Sequence, residues 1–203
     1  MPKRNKMMRT PEEIFCKVCS DKRGVNSETL KHTVILAVEI AREGREGRKI
    51  GTLFVVGASE EVLRHSRSLI LDPLFGHPDE LKLIHLPDMR ETVKELAQLD
   101  GAFVVSDAGV VVSACRYIDA LSEGIKLPLG LGSRHMAAAS ITKQTGAVAV
   151  VVSESSIVRV FDDGEIISEI IPELWMFARY GTHLAGEVSE LEEEDLTIVS
   201  KVD

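Results

Sequence analysis

The chain has 203 residues, of which 44% are hydrophobic and 28% charged, so it is long enough to bury a full core and has the composition of a globular domain. The formal net charge of −8 opposes nucleic-acid binding, so a phosphate ligand would need local positive groups and a divalent cation. Apolar runs are too short to span a membrane, no apolar signal-peptide core follows the basic start, and three cysteines do not suggest a secreted disulfide framework. We therefore expect a cytoplasmic protein that binds neither membranes nor nucleic acid.

The first half of the chain predicts helix, strand and helix, followed by a third helix. Apolar residues recur at helical spacing over residues 28–41, and Gly44 follows as a stop signal. The β-rich run 50–58 predicts a strand buried on both faces, followed by a serine and two glutamates that open a second helix. After a loop with three prolines, the capping-box spacing of Asp88 and Glu91 predicts the start of the third helix.

The second half of the chain changes to paired strands. Two β-rich stretches surround an Asp-Ala-Gly turn within 101–114, and a second pair surrounds Asp163 and Gly164, so both segments predict hairpins. Between them, residues 133–146 predict a helix that ends at Gly146 in the left-handed conformation, followed by the strand "AVAVVVS". This mixed order predicts an α/β fold with a mixed, largely antiparallel central sheet flanked by helices.

An arginine and a histidine stand in the first turn of this helix, in the sequence "GLGSRHMAAASIT". Free backbone N–H groups and the positive end of the helix dipole favour an anion there, and a guanidinium offers a planar fork for phosphate oxygens. The pattern predicts a phosphate clamp built from Ser133, Arg134 and His135.

Two carboxylates stand at the ends of predicted strands. Asp100 is followed by a glycine and an alanine, which lets a ligand approach the backbone, although Asp-Gly alone is usually a turn. Ser153 and Glu154 follow the strand "AVAVVV" and add a hydroxyl and a second carboxylate. Such positions commonly build sites in α/β folds.

Taken together, these motifs resemble the diadenylate cyclase domain. "DGA" at Asp100, "LP" at Leu127, "GSRH" at Gly132 and "VVSE" at Val151 follow that family's order and rough spacing, within a similarity that covers about residues 28–170. The segment "AREGREGRKIGTLFVVG" is similar to the opening of the domain in archaeal and DNA-integrity-scanning members. The resemblance implies an enzyme that joins two ATP molecules into cyclic di-AMP and releases pyrophosphate.

The resemblance also implies roles for individual residues. Asp100 and Arg134 would be the catalytic residues, with Asp100 positioning Mg²⁺ or Mn²⁺ and helping to activate the ribose 3′-hydroxyl. Glu154 would be a second, weaker metal ligand. The implied ATP-binding residues are Gly101, Ala102, Leu127, Gly132, Ser133, Arg134, His135 and Ser153.

Three departures from the family pattern concern the clamp and the base pocket. The usual second arginine of the clamp is Met136 here, which removes a cation. Ser133 replaces the usual threonine and keeps the hydroxyl, and the connection from Leu127 to Gly132 is short. We therefore expect a weaker hold on the triphosphate and an altered pocket for the base.

The symmetry of the implied product predicts an assembly. One pocket binds one ATP, whereas the product joins two nucleotides symmetrically, so we expect a homodimer or higher oligomer with facing sites. One alternative is a catalytically weak nucleotide-binding or regulatory module that retains the fold. Another is a structural α/β protein in which Asp100 is a turn residue and Arg134 forms a surface ion pair.

We divide the chain into an N-terminal extension at residues 1–26, a diadenylate cyclase-like catalytic domain at 27–180 and an acidic C-terminal segment at 181–203. The simplest interpretation of the acidic run at 186–196 is a solvated tail or an exposed helix face. Cys16 and Cys19 could form a redox pair or half a zinc site, but their spacing also fits one face of a helix.

Overall fold

The computed structural model describes residues 18–19, 23–121, 124–172, 188–193 and 196–201. Its helices, besides a 3₁₀ turn at Asp79–Leu81, are α1 (Ser27–Glu43), α2 (Ser59–Arg64), α3 (Pro87–Leu96) and α4 (Ser133–Gln144). Its strands are β1 (Thr52–Val56), β2 (Ser66–Ser68), β3 (Ala102–Val105), β4 (Val111–Ile118), β5 (Val148–Val152), β6 (Val158–Asp162), β7 (Glu165–Ile170), β8 (Val188–Glu193) and β9 (Leu196–Lys201).

Seven strands form one mixed sheet in the order β2-β4-β3-β1-β5-β6-β7. Strands β1 and β3 run parallel, with Leu53 opposite Ala102, and the other neighbours in this sheet are antiparallel. The predicted fold class, an α/β fold with a mixed and largely antiparallel sheet flanked by helices, is confirmed.

The central strand β1 is buried on both faces, as its β-rich sequence predicts. Phe54 and Val56 belong to one core cluster, which also contains the apolar residues of α1 and α3. Leu53 and Val55 belong to a second cluster, which contains the alanines of α4 and Val62 of α2. Because alternate residues of a strand point to opposite faces, β1 joins two cores across a three-layer domain.

Helix α1 begins and ends where the sequence predicts. The side chain of Asn26 accepts a hydrogen bond from the backbone N–H of Thr29, and Gly44 ends the helix with φ 58°. The predicted capping box of α3 is wrong, because Leu86 is the N-cap and no side chain caps the helix. Pro87 opens α3 instead, since its fixed φ and missing N–H suit the first helical position.

Both predicted hairpins are confirmed. A turn at residues 107–109 joins β3 to β4, and Asp163 and Gly164 join β6 to β7 with φ values of 46° and 80°. The predicted end of α4 is wrong: the helix stops at Gln144, Thr145 is extended, and Gly146 is not left-handed. The Thr145 hydroxyl donates to the carbonyl of Ile141, which satisfies the helix end without a left-handed glycine.

The acidic C-terminal segment contains paired strands where the sequence suggested a tail or helix. Strands β8 and β9 form a separate antiparallel pair, so the helical interpretation is wrong. Cys19 is buried, whereas Cys16 lies outside the described residues. Within the described part of the chain, no helix combines the length and the apolar character that crossing a bilayer requires. The proposed division of the chain into three segments stays a prediction.

Replacing the central aromatic residue of β1 tests this architecture. Phe54 is fully buried and stacks on Phe103 with ring centroids 5.1 Å apart, so Phe54→Ala should lower the free energy of unfolding by about 3–5 kcal/mol in urea titrations. The matched control is Phe75→Ala, because Phe75 is 87% exposed and its loss should change stability by no more than about 0.5 kcal/mol. Equal effects of the two substitutions would contradict the placement of β1 between two cores.

Candidate active site

Three strand ends carry the candidate residues to one edge of the sheet. Gly51 precedes β1, Asp100 and Gly101 precede β3, and Glu154 follows β5. Because β1 is parallel to β3 and antiparallel to β5, the first two strand starts and the third strand end meet at the same edge. Arg134, in the first turn of α4, reaches the same edge.

The guanidinium of Arg134 lies between the two carboxylates. Its Nη2 donates to Asp100 Oδ1 at 3.5 Å, and its Nη1 donates to Glu154 Oε1 at 3.4 Å. The Asp100 and Glu154 side chains are 82% and 72% exposed, whereas Arg134 is 35% exposed. Long, exposed ion pairs contribute little to stability, so a phosphate ligand can displace these carboxylates from the guanidinium at small cost.

The absence of a side chain at position 51 leaves room for the guanidinium of Arg134. A Cβ at position 51 would lie 2.8 Å from Arg134 Nη1 and 3.3 Å from Glu154 Cγ. The backbone at Gly51 does not have a positive φ, so an added methyl group would displace the Arg134 side chain without straining the backbone.

At position 101, in contrast, both the backbone conformation and the space require a glycine. Its φ is +111°, and a Cβ there would lie 2.6 Å from the carbonyl carbon of Cys115, on the neighbouring strand. The pairing of β3 with β4 changes register here, and Cys115 itself has φ 53°. The glycine of the "DGA" motif therefore suits a position beside a β-bulge, where the backbone of Cys115 leaves no space for a side chain.

The largest of three cavities described at this edge has a volume of about 410 Å³. We call it the apolar cavity, because most of its lining is apolar. The lining residues are Leu53, Leu69, Asp100, Gly101, Ala102, Arg116, Tyr117, Ile118, Ala120, Ser133, Arg134, Met136 and Ala137.

Two smaller and more polar cavities adjoin the same guanidinium. The basic cavity has a volume of about 230 Å³ and is lined by Arg45, Glu46, Arg48, Lys49, Ile50, Gly51, Ala97, Gln98, Arg134 and Glu154. The third cavity has a volume of about 280 Å³ and is lined by Gly130, Gly132, Ser133, Arg134, His135, Val151, Val152, Ser153 and Glu154. Arg134 therefore stands where all three meet.

The structure brings most of the sequence-predicted residues together around Arg134. Asp100, Gly101, Ala102 and Ser133 line the apolar cavity, and the third cavity is lined by Gly132, Ser133, His135, Ser153 and Glu154. Leu127 lines none of the three cavities and packs, partly buried, against the second core. Met136 lines the apolar cavity and neither of the two polar cavities.

The ring of His135 is buried beneath the first turn of α4. Burial is the largest cause that lowers the pKa of His135, and the nearby positive charges of Arg159 and Arg134 lower it further. Its Nε2 lies 3.2 Å from Arg159 Nη1, which fits an acceptor on a neutral ring, and its buried Nδ1 has no hydrogen-bond partner among the described residues. His135 therefore supplies no cation to the predicted clamp.

The hydroxyl of Ser153 is already used within its own turn. It donates to the carbonyl of Ile157 at 3.0 Å and accepts from the Ile157 N–H at 3.2 Å. It also lies 2.7 Å from the hydroxyl of Ser155. A ligand phosphate would have to replace the Ser155 contact to reach it.

The carboxylates suit a hard cation shared with a ligand. No group of three or more His, Cys, Asp or Glu residues that could hold a metal ion occurs in the described parts of the chain. Mg²⁺ commonly binds one or two carboxylates together with substrate phosphates and needs no complete protein cage. Asp100 and Glu154, both exposed and both on the same guanidinium, fit that kind of donor set.

The sequence analysis missed the residues of the α1–β1 connection. The sequence motifs assign no site role to any residue of "REGREGRK" or to Gly51, whereas Arg45, Arg48, Lys49 and Gly51 all line the basic cavity. The available signal was a cluster of positive charges immediately before a buried strand in an acidic chain.

Fold and site together define an α/β domain in which an arginine lies between two carboxylates at one edge of a mixed sheet. The family model described as "DAC: DisA bacterial checkpoint controller nucleotide-binding" matches residues 39–166. The chain belongs to this family, which confirms the resemblance seen in the motifs.

Two relatives and one solved structure show how far the likeness extends. The chain is 49% identical over 145 residues to a protein of Methanocaldococcus jannaschii named diadenylate cyclase, covering 71% of this chain and 46% of that protein. It is 43% identical over 143 residues to a Haloferax volcanii protein of the same name, covering 69% and 51%. The chain thus spans about half the length of these relatives.

The solved structure is described as a hypothetical membrane spanning protein from Bacillus cereus. Its TM-score is 0.52 at 21% identity, covering 68% of this chain and 62% of that one, and the likeness shows the fold alone.

Adding one methyl group at position 51 tests the placement of Arg134. Gly51→Ala should displace the guanidinium and weaken ATP binding roughly fivefold, about the contribution of one hydrogen bond, in calorimetric titrations. Stability in urea should stay the same or rise slightly, because the backbone conformation accepts alanine. Gly146→Ala is the control, since a Cβ there meets no atom within 4 Å. Unchanged ATP affinity in Gly51→Ala would contradict the role given to this contact.

The lowered pKa of His135 predicts a pH-dependent stability. The unfolded chain takes up the proton near pH 6.5, whereas the folded chain resists it, so this contribution is present above the unfolded pKa and is lost as pH falls through the folded one. His135→Gln should make the unfolding free energy decline less steeply as the pH falls below 7. Part of the decline should persist, because burial also lowers the pKa of His32. His77→Gln, at an exposed position, is the control, and equal slopes in the two variants would contradict the prediction.

Proposed function

We propose that this chain is a diadenylate cyclase, which condenses two ATP molecules into cyclic di-AMP and releases pyrophosphate. The observation that carries the proposal is the guanidinium of Arg134 held between Asp100 and Glu154 beside a cavity large enough for a nucleoside. Two relatives with the name diadenylate cyclase, at 49% and 43% identity, support it. We also propose that it acts in the cytoplasm.

The apolar cavity is the proposed nucleoside site. Its volume of about 410 Å³ lies within the usual range of small-molecule pockets. Leu69, Tyr117 and Met136 offer apolar surface for the adenine, and Gly101 and Ala102 leave room for the ribose. The position of Met136 in this lining favours a contact with the nucleoside over a lost contact with the triphosphate.

The phosphates are proposed to bind at the start of α4. Gly132 is the N-cap and has no side chain, and no side-chain cap bonds to the first turn. The backbone N–H groups of Ser133 and Arg134 donate to no other described residue, so they are available to an anion together with the guanidinium.

Nucleotide binding would exchange the partners of these charges. Phosphate oxygens would replace the carboxylates on Arg134, which frees Asp100 and Glu154 to hold Mg²⁺ or Mn²⁺. The bound ion would supply charge neutralisation for the phosphates. Asp100, exposed at the same edge, would accept the proton of the attacking 3′-hydroxyl.

Two copies of the chain are needed to make a symmetric product. Each copy would present one ATP, so the proposed assembly is an isologous homodimer, or a higher oligomer, with facing sites. Large apolar side chains are exposed in the segment that follows Leu69, a lining residue of the apolar cavity, since Leu71 is 92% and Phe75 87% exposed. Exposed apolar clusters of this kind commonly mark an interface.

The reaction is tested by removing the charge of Asp100 while keeping the shape of its side chain. Wild-type protein with ATP and Mn²⁺ should form a product with the mass of cyclic di-AMP, and Asp100→Asn should reduce its rate at least about a hundredfold, as loss of a general base does. Asp88→Asn is the control, because Asp88 is exposed and lines none of the three cavities. Full activity in Asp100→Asn would contradict the catalytic assignment. ATP binding without product in the wild type would favour a catalytically weak nucleotide-binding module.

The requirement for two copies predicts a concentration dependence. Activity per mole of chain should fall when the protein is diluted below the dissociation constant of its dimer, measured by sedimentation under assay conditions. A constant activity per mole at concentrations where the chain sediments as a monomer would contradict the facing-site arrangement.

A further inference from the structure

The basic cavity lies against the proposed nucleotide site but has no role in it so far. Its lining contributes four cationic side chains, Arg45, Arg48, Lys49 and Arg134, in a chain whose formal net charge is −8. It shares Arg134 with the apolar cavity, and Gly51 forms part of its wall. At about 230 Å³, against ~30 Å³ of liquid volume per water molecule, it has room for a diphosphate group.

A tight turn fixes the cationic residues in this cavity. Arg45 and Arg48 exchange backbone hydrogen bonds of 2.9 and 2.8 Å, and Glu46 and Gly47 between them have φ values of 49° and 72°. The turn packs closely against Gly44, where no side chain would fit, because a Cβ there would lie 2.3 Å from the carbonyl oxygen of Arg48. The side chains that follow the turn therefore start from an ordered backbone.

The cations of this cavity differ in what already neutralises them. Arg45 forms ion pairs with Glu91 and Glu95 of α3, which anchor the turn to that helix. Arg48 and Lys49 are exposed, and neither forms an ion pair with any residue in the described part of the chain. Two exposed positive charges that form no described ion pair thus line the same cavity as the guanidinium that is proposed to bind the phosphates, although Glu46 and Glu154 also belong to its lining.

We propose that Arg48 and Lys49 bind the diphosphate end of ATP, and the pyrophosphate that leaves it, in the basic cavity. This inference rests on the proposed function and assigns a binding site to its leaving group, pyrophosphate. The nucleoside lies on the apolar side of Arg134, the reacting phosphate lies at Arg134, and the terminal phosphates extend to the basic side. Charge-assisted contacts from two cations suit a group that carries most of the charge of the triphosphate.

The proposal also accounts for a clamp with one arginine. Met136 stands at the position of the usual second arginine and faces the apolar cavity, so that cation is missing from the helix. Arg48 and Lys49 supply positive charge to the phosphates from the α1–β1 turn instead. The triphosphate is then held between two elements, the turn and α4, with Arg134 common to both sides.

The experiment measures the binding of inorganic pyrophosphate and of AMP, each with Mg²⁺, by calorimetry. The double variant Arg48→Gln/Lys49→Gln should bind pyrophosphate at least tenfold more weakly, because charge-assisted hydrogen bonds are lost, while its AMP affinity stays within about twofold of wild type. The control is Lys31→Gln/Arg64→Gln, which removes the same charge from one partly exposed and one exposed position that line none of the three cavities, and it should leave both affinities unchanged.

Two results would overturn the inference: no measurable pyrophosphate binding by the wild-type protein, or equal pyrophosphate affinity in the test and control variants. These results test the pyrophosphate subsite separately from the proposed cyclase function. A wild type that forms cyclic di-AMP while the two double variants behave alike keeps the function and removes the subsite. Selective loss of pyrophosphate binding in a protein that forms no cyclic di-AMP supports the subsite and removes the function.

Discussion

The placement of one guanidinium between two carboxylates is the contact on which the candidate site depends. Arg134 can reach Asp100 and Glu154 because the starts of β1 and β3 and the end of β5 meet at one edge of the sheet. The parallel pairing of β1 with β3 and the antiparallel pairing of β1 with β5 together produce that convergence. The contacts are long and exposed, so they contribute little to stability and can give way to phosphates and a cation.

Local sequence patterns were enough to predict the fold. The predicted helix boundaries were wrong where tertiary packing or backbone geometry decides them. Helical spacing and the stop at Gly44 gave α1, and turn residues such as Asp163 and Gly164 gave the hairpins. The start of α3 was misplaced because Pro87 can open a helix without a side-chain cap. The end of α4 was misplaced because the Thr145 hydroxyl satisfies the helix terminus.

The site was predictable in its chemistry and less so in its geometry. Motif order identified Asp100, Arg134 and Glu154, whose proximity the structure shows. The motifs did not reveal Gly51, Arg48 and Lys49, because the proximity of these residues to Arg134 depends on pairing between strands that are far apart in sequence. Burial of the His135 ring depends on which side of α4 packs against the sheet, which a motif does not encode.

The most direct measurement is a crystal structure of the protein with a non-hydrolysable ATP analogue and Mg²⁺. The account predicts the adenine in the apolar cavity, phosphate oxygens within hydrogen-bond distance of Arg134 in place of the two carboxylates, and the cation on Asp100. A nucleotide bound elsewhere, with Arg134 still paired to Asp100 and Glu154, would contradict it.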